Sequence, residues 1–266
     1  MNTQASEFVG SIPEHYDRSL GPRIFSGFAK DLAARVASTA SSSVLELAAG
    51  TGILTRHLRD LLPDSSALTA TDLNAPMLNA AKVKFEDEEK VCFEVADATQ
   101  LQHANESFDG VACQFGVMFF PDKVQSFKEA YRVLKPGGHY HFNVWDSWDN
   151  NPFARITHGV VEQFFPDDPP EFYKVPFGYH DTDQIAAALT EAGFSHVESE
   201  SVELQSNIPS AKEFALGLVF GNPLLQEIVD RQGNPDDICA VVASELLVQL
   251  GREMPLQAQV FKAQKT

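Results

Sequence analysis

Along this chain, short apolar or alternating runs recur at intervals, with helical spacing between them. VLELA (44–48), ALTATD (67–72), VCFEVAD (91–97), FDGVACQFG (108–116) and HYHFNVW (139–145) predict strands. The segments between, TGILTRHLRDLL, APMLNAAKVKFEDEE and DKVQSFKEAYRVL, place apolar residues three and four apart and predict amphipathic helices. The third is bracketed by Pro121 in front and KPGG behind, a start and a stop signal. Strands alternating with helices imply a parallel, doubly wound sheet. After Trp145 the pattern breaks. Residues 146–180 are rich in proline and aromatics, with one helix expected from Phe153 to Phe165. They are too apolar for a linker and too irregular for a sheet layer, so they predict a lid or pocket wall.

Alternation resumes with a helix over 181–192, ended by Gly193, and a strand over roughly 194–205. Helical stretches follow near 210–231 and 235–251, and the alternating run MPLQAQVFKAQ closes the chain. The last two strands face each other across these helices, so one is expected to pair antiparallel at the sheet edge. The pattern divides residues 1–266, taken as a single domain, into a core (40–145, 181–205, 254–265) and cap elements (1–30, 146–180, 206–252).

Composition narrows the chemistry. A 44% hydrophobic content over 266 residues supports a full core. With 20 basic against 37 acidic side chains the net charge is −17, which repels phosphate backbones and anionic lipid and argues against nucleic-acid or membrane partners. Cys92, Cys113 and Cys239 have neither disulfide-framework nor metal-site spacing, and no His/Cys/Asp cluster has ligand spacing, so no metal is expected. Neither a secretory signal nor a spanning apolar run is visible, and a cytoplasmic location is the default expectation.

The stretch VLELAAGTGILTRHL (44–58) carries the first chemical signal. Glycines directly after a strand let the backbone approach a ligand, and the following helix presents free N–H groups and a positive dipole end. Read as G-x-G-x-x-G the turn fails at the third glycine, where Thr55 stands; no G-K-[ST] follows either, so it is no phosphate loop. Asp72 ends the second strand and Asp97 the third, both at the carboxyl edge. Either acid alone could merely cap the next helix. Together with the turn, two acids at successive strand ends suit a nucleoside without phosphates.

The run Glu46-Leu47-Ala48-Ala49-Gly50-Thr51-Gly52 resembles the first motif of the class I S-adenosylmethionine-dependent methyltransferases, with Ala48 standing at that motif's first glycine. Thr71-Asp72-Leu73-Asn74 with Met77, Ala96-Asp97-Ala98, Ser107-Phe108-Asp109 leading to Gln114-Phe115, and Leu134-Lys135-Pro136-Gly137-Gly138 follow in the family's order over residues 44–145. IPEHYDRSLGP, FGVMFFPD and FNVWDSWDNNPF are similar to the ubiquinone/menaquinone-biosynthesis subgroup, which acts mainly on small molecules. The resemblance implies an α/β, Rossmann-like seven-stranded sheet, mostly parallel with one antiparallel edge strand, helices on both faces and a cap over the site.

The resemblance also implies a cofactor, S-adenosylmethionine, with S-adenosylhomocysteine as product. Carried over position by position, Glu46 lies near the cofactor's amino group; Ala48, Gly50, Thr51 and Gly52 form the turn that lines its path. Asp72 takes the ribose hydroxyls, Leu73 and Met77 flank the adenine, Asp97 takes its exocyclic amine, and Ala98 supplies an N–H. Gln114, with Phe115 after it, faces the methionine portion, and Tyr16 and Arg23 are candidates for its carboxylate.

Methyl transfer from a sulfonium asks the protein mainly to align the acceptor and exclude water. A general base is needed only where the nucleophile's proton must leave. His180 and Tyr179 in PFGYHD, and His141 on the fifth strand, are the candidates to test, beside Asp146 and His158; a packed or surface role competes for each. The lid aromatics, among them Trp145, Trp148, Phe153, Phe172, Tyr173 and Phe177, predict an apolar or aromatic small-molecule acceptor methylated at oxygen, nitrogen or carbon, the protein being a monomer or homodimer. The same residues could simply pack the lid. A non-catalytic S-adenosylmethionine-binding partner protein and a nicotinamide-dependent oxidoreductase are the rival readings, and Asp97 and the missing third glycine weigh against the second.

Overall fold

The computed structural model describes residues 8, 10, 12–39 and 42–266; the remaining positions of the expected N-terminal cap lie outside the described residues. Seven strands form one sheet in the order β3-β2-β1-β4-β5-β7-β6: β1 (Ser43–Leu47), β2 (Ala67–Asp72), β3 (Val91–Val95), β4 (Phe108–Gln114), β5 (Leu134–Trp145), β6 (Ser195–Asn207) and β7 (Glu253–Gln264). β1 pairs in parallel with β2 on one side and β4 on the other, so the strand order reverses between β1 and β4. In such sheets the crevice at the carboxyl ends of these two strands is where ligands bind. The antiparallel strand expected at the far edge is β7, one place in, between β5 and β6.

Helices cover both faces. Alternation within β1 sends Val44 and Glu46 to one face, Leu45 and Leu47 to the other. Val44 packs with α2 (Ser26–Ala37) and α3 (Ile53–Leu61) through Leu32, Val36, Leu54 and Leu58. Leu45 and Leu47 join the larger core, where α5 (Lys123–Val133) and α8 (Thr182–Glu191) bury Phe127, Val133, Ile185 and Leu189. α4 (Ala75–Lys82) is shorter than its apolar pattern predicts: it stops at Lys82, and Glu86 and Glu89 form a reciprocal capping box around a separate short turn.

Before the sheet, α1 (Ile12–His15) runs into a wide helical stretch, Tyr16–Phe25, that ends with the N–H of Ser26 donating to the carbonyl of Gly21, five residues back. After β5 come α6 (Pro152–Phe164) and the short α7 (Lys174–Phe177). The helix expected over 210–231 is two, α9 (Ala211–Phe220) and α10 (Leu224–Asp230), because Gly221-Asn222-Pro223 breaks it; α11 (Pro235–Leu250) follows. β5 begins earlier than expected, at Leu134, its register with β4 shifting between Phe108 and Gly110 around the KPGG turn. Among the described residues no helix is long and apolar enough to cross a membrane.

Candidate active site

The turn after β1 is built on three alternate left-handed positions: Ala48 at φ 52, Gly50 at φ 57 and Gly52 at φ 81. For the glycines this conformation costs little; for Ala48 it costs about 1–2 kcal/mol. The turn is tied to β2. Ala49 donates its N–H to the Thr71 carbonyl at 2.8 Å, and Gly50 donates to Asp72 Oδ2 at 2.9 Å. A residue absent from the sequence expectations, Gly116, makes Ala48 possible: a Cβ there would lie 2.5 Å from Ala48 Cβ and 2.7 Å from Cys113 Sγ. Its only signal was a small residue just past β4. Gly52, expected to line the cofactor's path, packs its flank against α4 instead; a Cβ on it would meet Ala81 Cβ at 3.0 Å.

The predicted acids hold different environments. Asp72, buried at the end of β2, uses Oδ2 for Gly50 and Oδ1 for the Asn74 N–H at 2.8 Å; burial raises its pKa, and these hydrogen bonds oppose the rise. Asp97 lies two residues beyond the end of β3, exposed, with Oδ1 accepting from the N–H and hydroxyl of Thr99. Glu46 is the most unusual. Fully buried beneath the start of α3, its carboxyl is pushed up to about 8 by loss of water; Thr55 offsets part of that rise and the charge of Asp72 adds to it.

Besides Thr55 Oγ1, two buried carboxyl or amide oxygens in this region make no hydrogen bond, Glu46 Oε2 and Gln114 Oε1. Both line one small recess together with Tyr16, Ala48 and Gly50. Gln114 is held there by its Nε2, which donates to the Phe25 carbonyl at 3.0 Å. Buried acceptors without partners carry a desolvation cost that a ligand's donors relieve. An ammonium group suits this pair, so the recess fits the amino acid end of the cofactor.

The recess opens into a crevice of about 790 Å³, lined by Asp72, Leu73, Asn74, Met77, Asp97 and Ala98 beside Gly116. Against Phe115 the crevice adjoins a second chamber of about 470 Å³, whose walls are almost wholly apolar. Phe8, Tyr16, Phe115 and Phe119 line both. Phe115 is itself strained, a buried aromatic at φ 51. Its N–H is shared between Asn143 Oδ1 at 3.0 Å and the Asn143 carbonyl at 3.2 Å, its ring stacks on Trp145 at 4.0 Å, and Phe28 meets it edge-on. Tyr16 stacks on Phe25 at 4.7 Å; burial, then the charges of Asp72 and Asp17, keep its hydroxyl protonated.

Several predicted residues lie elsewhere. Arg23 lines a separate surface groove with Leu204 and Ser206, because the wide helical stretch turns it toward β6 and away from Tyr16. Thr51 borders the recess, but its hydroxyl donates to Asp17 at 2.8 Å and its carbonyl accepts from Lys84 at 2.7 Å, so it clasps the N-terminal segment. His141 is buried on the α2 face of β5, in a groove with Arg35, Glu198 and Lys262; burial, then His139, Lys262 and Arg35, hold it neutral with a pKa of about 3. Tyr179 stacks under the Lys123 ammonium, burial raising its pKa to about 12, and neither it nor His180 lines the crevice or the chamber. Asp146 accepts from Gln259 Nε2, and His158 packs on Trp148. Among the described residues no cluster of three His, Cys, Asp or Glu could hold a metal ion.

This geometry agrees with what the chain is similar to. A family described as a methyltransferase domain matches residues 45–142. The ubiquinone/menaquinone biosynthesis C-methyltransferase of Rickettsia felis is 37% identical over 197 residues, 71% of each chain. The demethylmenaquinone methyltransferase of Deinococcus radiodurans is 33% identical over 136 residues, 50% of this chain and 56% of that one, so the match spans about half the length of such relatives. The solved Haemonchus contortus phosphoethanolamine N-methyltransferase 2, in complex with S-adenosyl-L-methionine, shares the fold, with a TM-score of 0.60 at 18% identity over 95% of this chain and 56% of that one. The chain therefore belongs to the class I S-adenosylmethionine-dependent methyltransferases, in their ubiquinone/menaquinone-biosynthesis-like subgroup.

Proposed function

We propose that the protein methylates a small aromatic molecule, with the cofactor in the crevice and the acceptor in the aromatic chamber. The observation that carries this reading is the wall the two cavities share, at Phe8, Tyr16, Phe115 and Phe119. A group transferred across that wall passes between sites of opposite character, one with acids and backbone N–H groups, one with aromatic faces.

When bound, the sulfonium supplies a methyl group that is already electrophilic. Asp72 and Asp97 would hold the nucleoside, and Glu46 and Gln114 would receive the amino acid end. Phe115, Trp145 and Phe25 exclude water and align a flat acceptor, a contribution that can supply about 7–11 kcal/mol of a barrier. The described lining of the chamber holds no carboxylate or imidazole. An acceptor that attacks without a protein base suits this lining, as an electron-rich ring carbon does, its displaced ring proton passing to water after the C–CH3 bond has formed. A quinol-type ring fits this requirement and is in keeping with the names of the relatives. The protein is taken as one unit, a cytoplasmic monomer or homodimer; its three free cysteines suit a reducing compartment.

The test is calorimetric titration with S-adenosylmethionine, S-adenosylhomocysteine and NADH, followed by methyl transfer to naphthols and hydroquinones. Binding of both sulfur nucleosides, no binding of NADH, and a methylated ring product are expected. Failure of the sulfur nucleosides to bind, or binding with no product from any aromatic acceptor, overturns the proposal.

A further inference from the structure

Side chains along a strand alternate between two faces, so Phe115, directly after Gln114 at the end of β4, is expected to point away from it. It does not. Gln114 reaches the α2 side of the sheet, where its Nε2 donates to the Phe25 carbonyl at 3.0 Å. The Phe115 ring lies on that same side, edge-on to Phe28 of α2 at 5.5 Å and stacked on Trp145 at 4.0 Å. The left-handed φ of 51 at Phe115 is what breaks the alternation. In consequence, the amide that borders the recess and the ring that borders both crevice and chamber stand side by side on successive residues.

A bulky residue persists in this conformation only where its surroundings over-determine it. Asn143 on β5, the register partner of Gln114, supplies the constraint. Its carbonyl accepts the Phe115 N–H at 3.2 Å, and its side-chain Oδ1 accepts the same N–H at 3.0 Å. The Asn143 side chain is fully buried, and its Nδ2 has no hydrogen-bond partner among the described residues. An orphaned donor is a cost that an apolar side chain of similar size avoids, so packing alone does not account for an asparagine at this position. What sets it apart from leucine is the oxygen held on Phe115. We infer that Asn143 is a positioning residue for methyl transfer, locking the left-handed Phe115 so that the cofactor-side amide and the acceptor-side ring keep a fixed relation. The inference rests on the reading of crevice and chamber as cofactor and acceptor sites.

Asn143→Leu removes the side-chain oxygen and the orphaned donor together and leaves the Phe115 N–H its main-chain acceptor, so a melting temperature close to that of wild type is expected. In methyl transfer to naphthols and hydroquinones its kcat should fall about tenfold, the worth of one buried hydrogen bond. Its Kd for S-adenosylhomocysteine should stay within about twofold, because Glu46, Asp72 and the bond from Gln114 to Phe25 are untouched. Asn143→Asp keeps an oxygen in the same place and should restore kcat to within about threefold of wild type. With Trp148→Phe leaving Trp145 as the one tryptophan, acrylamide should quench Trp145 more strongly in Asn143→Leu, as the Phe115 ring departs from it. Where leucine does not fold, Asn143→Ala takes its place. A role confined to stability predicts the reverse pattern, a lower melting temperature with the kcat of the folded protein unchanged. An Asn143→Leu kcat within about twofold of wild type, or a fall that Asn143→Asp shares, overturns the inference while the functional reading stands. Should wild type bind S-adenosylhomocysteine and methylate no naphthol or hydroquinone, the functional reading fails and takes this inference with it.

Discussion

The crevice and the chamber share a wall and are built in opposite ways. Apart from the Tyr16 hydroxyl, the crevice draws its polar groups from one contiguous part of the chain, residues 46–116, at or just past the ends of parallel strands. The chamber collects its walls from separated parts of the chain: Phe8 and residues 16–25, then 115–119, 145–153, 172–177 and 218–222. Recognition by backbone conformation and strand-end acids needs only local order. Recognition by aromatic faces needs distant segments to meet, and so depends on packing of the whole cap.

That contrast can be broken in graded steps. The largest effect is expected at Gly116, where an added Cβ meets Ala48 and Cys113. Gly116→Ala should lower the unfolding free energy by about 3 kcal/mol, as overpacking does. Adding Ala48→Gly should recover part of the loss, since it removes the other half of the clash. Denaturant titration of both variants checks this, and full additivity would contradict the contact.

Next is Asp72→Ala, which removes the carboxylate from the crevice and from the Gly50 N–H. Weakening of S-adenosylmethionine by on the order of 30-fold follows from the ~1.5–3 kcal/mol of hydrogen bonds to a charged group. The affinity of the chamber for an aromatic probe should change little.

Glu46→Gln should cost roughly tenfold in cofactor affinity, the scale of one such contact. It also carries a pH signature. Its pKa is raised from 4.5 to about 8 in the folded protein. Its contribution to stability is therefore fully present below the unfolded value and is lost as pH rises through about 8. Wild type should lose stability relative to Glu46→Gln between those limits. A cationic amino group bound there favours the ionised carboxylate, so binding near neutral pH should release a proton. Calorimetry in buffers of different ionisation enthalpy measures that release; none is expected from Glu46→Gln.

Smaller again, Phe177→Leu trims a chamber wall remote from the crevice. The acceptor KM should rise a few fold, on the scale of ~1 kcal/mol for a changed apolar contact, with cofactor affinity unchanged. The smallest effect is expected at His141, neutral and on the α2 face of β5. His141→Gln should leave kcat within about twofold, below the 10²–10⁴-fold worth of a general base.

Much of the crevice was legible because its determinants are local. Asp72 and Asp97 stand out as acids at the carboxyl edge, and Glu46 as an acid in an apolar strand; their pairing with a glycine turn names the ligand class. What escaped the pattern is instructive. Gly116 and Phe115 matter through contacts with Ala48, Asn143 and Trp145, residues far away in the chain. His141 and Tyr179 looked eligible by chemistry alone. Strand alternation does not say which sheet face a residue takes, and aromatic spacing does not say whether a ring fills a core or lines a cavity.

From the residue order alone come the alternating strands and helices, the glycine turn, the strand-end acids and thereby a nucleoside without phosphates as ligand, because each rests on backbone preferences and spacings within a few residues; the cofactor itself came from the resemblance. Tertiary structure alone decided the place of β7 inside the edge, the left-handed Ala48 made room for by Gly116, the orphaned oxygens of Glu46 and Gln114, and the chamber closed by Tyr173 and Asn222. The physical reason is that sterics and desolvation act between atoms brought together by packing, and no local pattern carries the distances on which they depend.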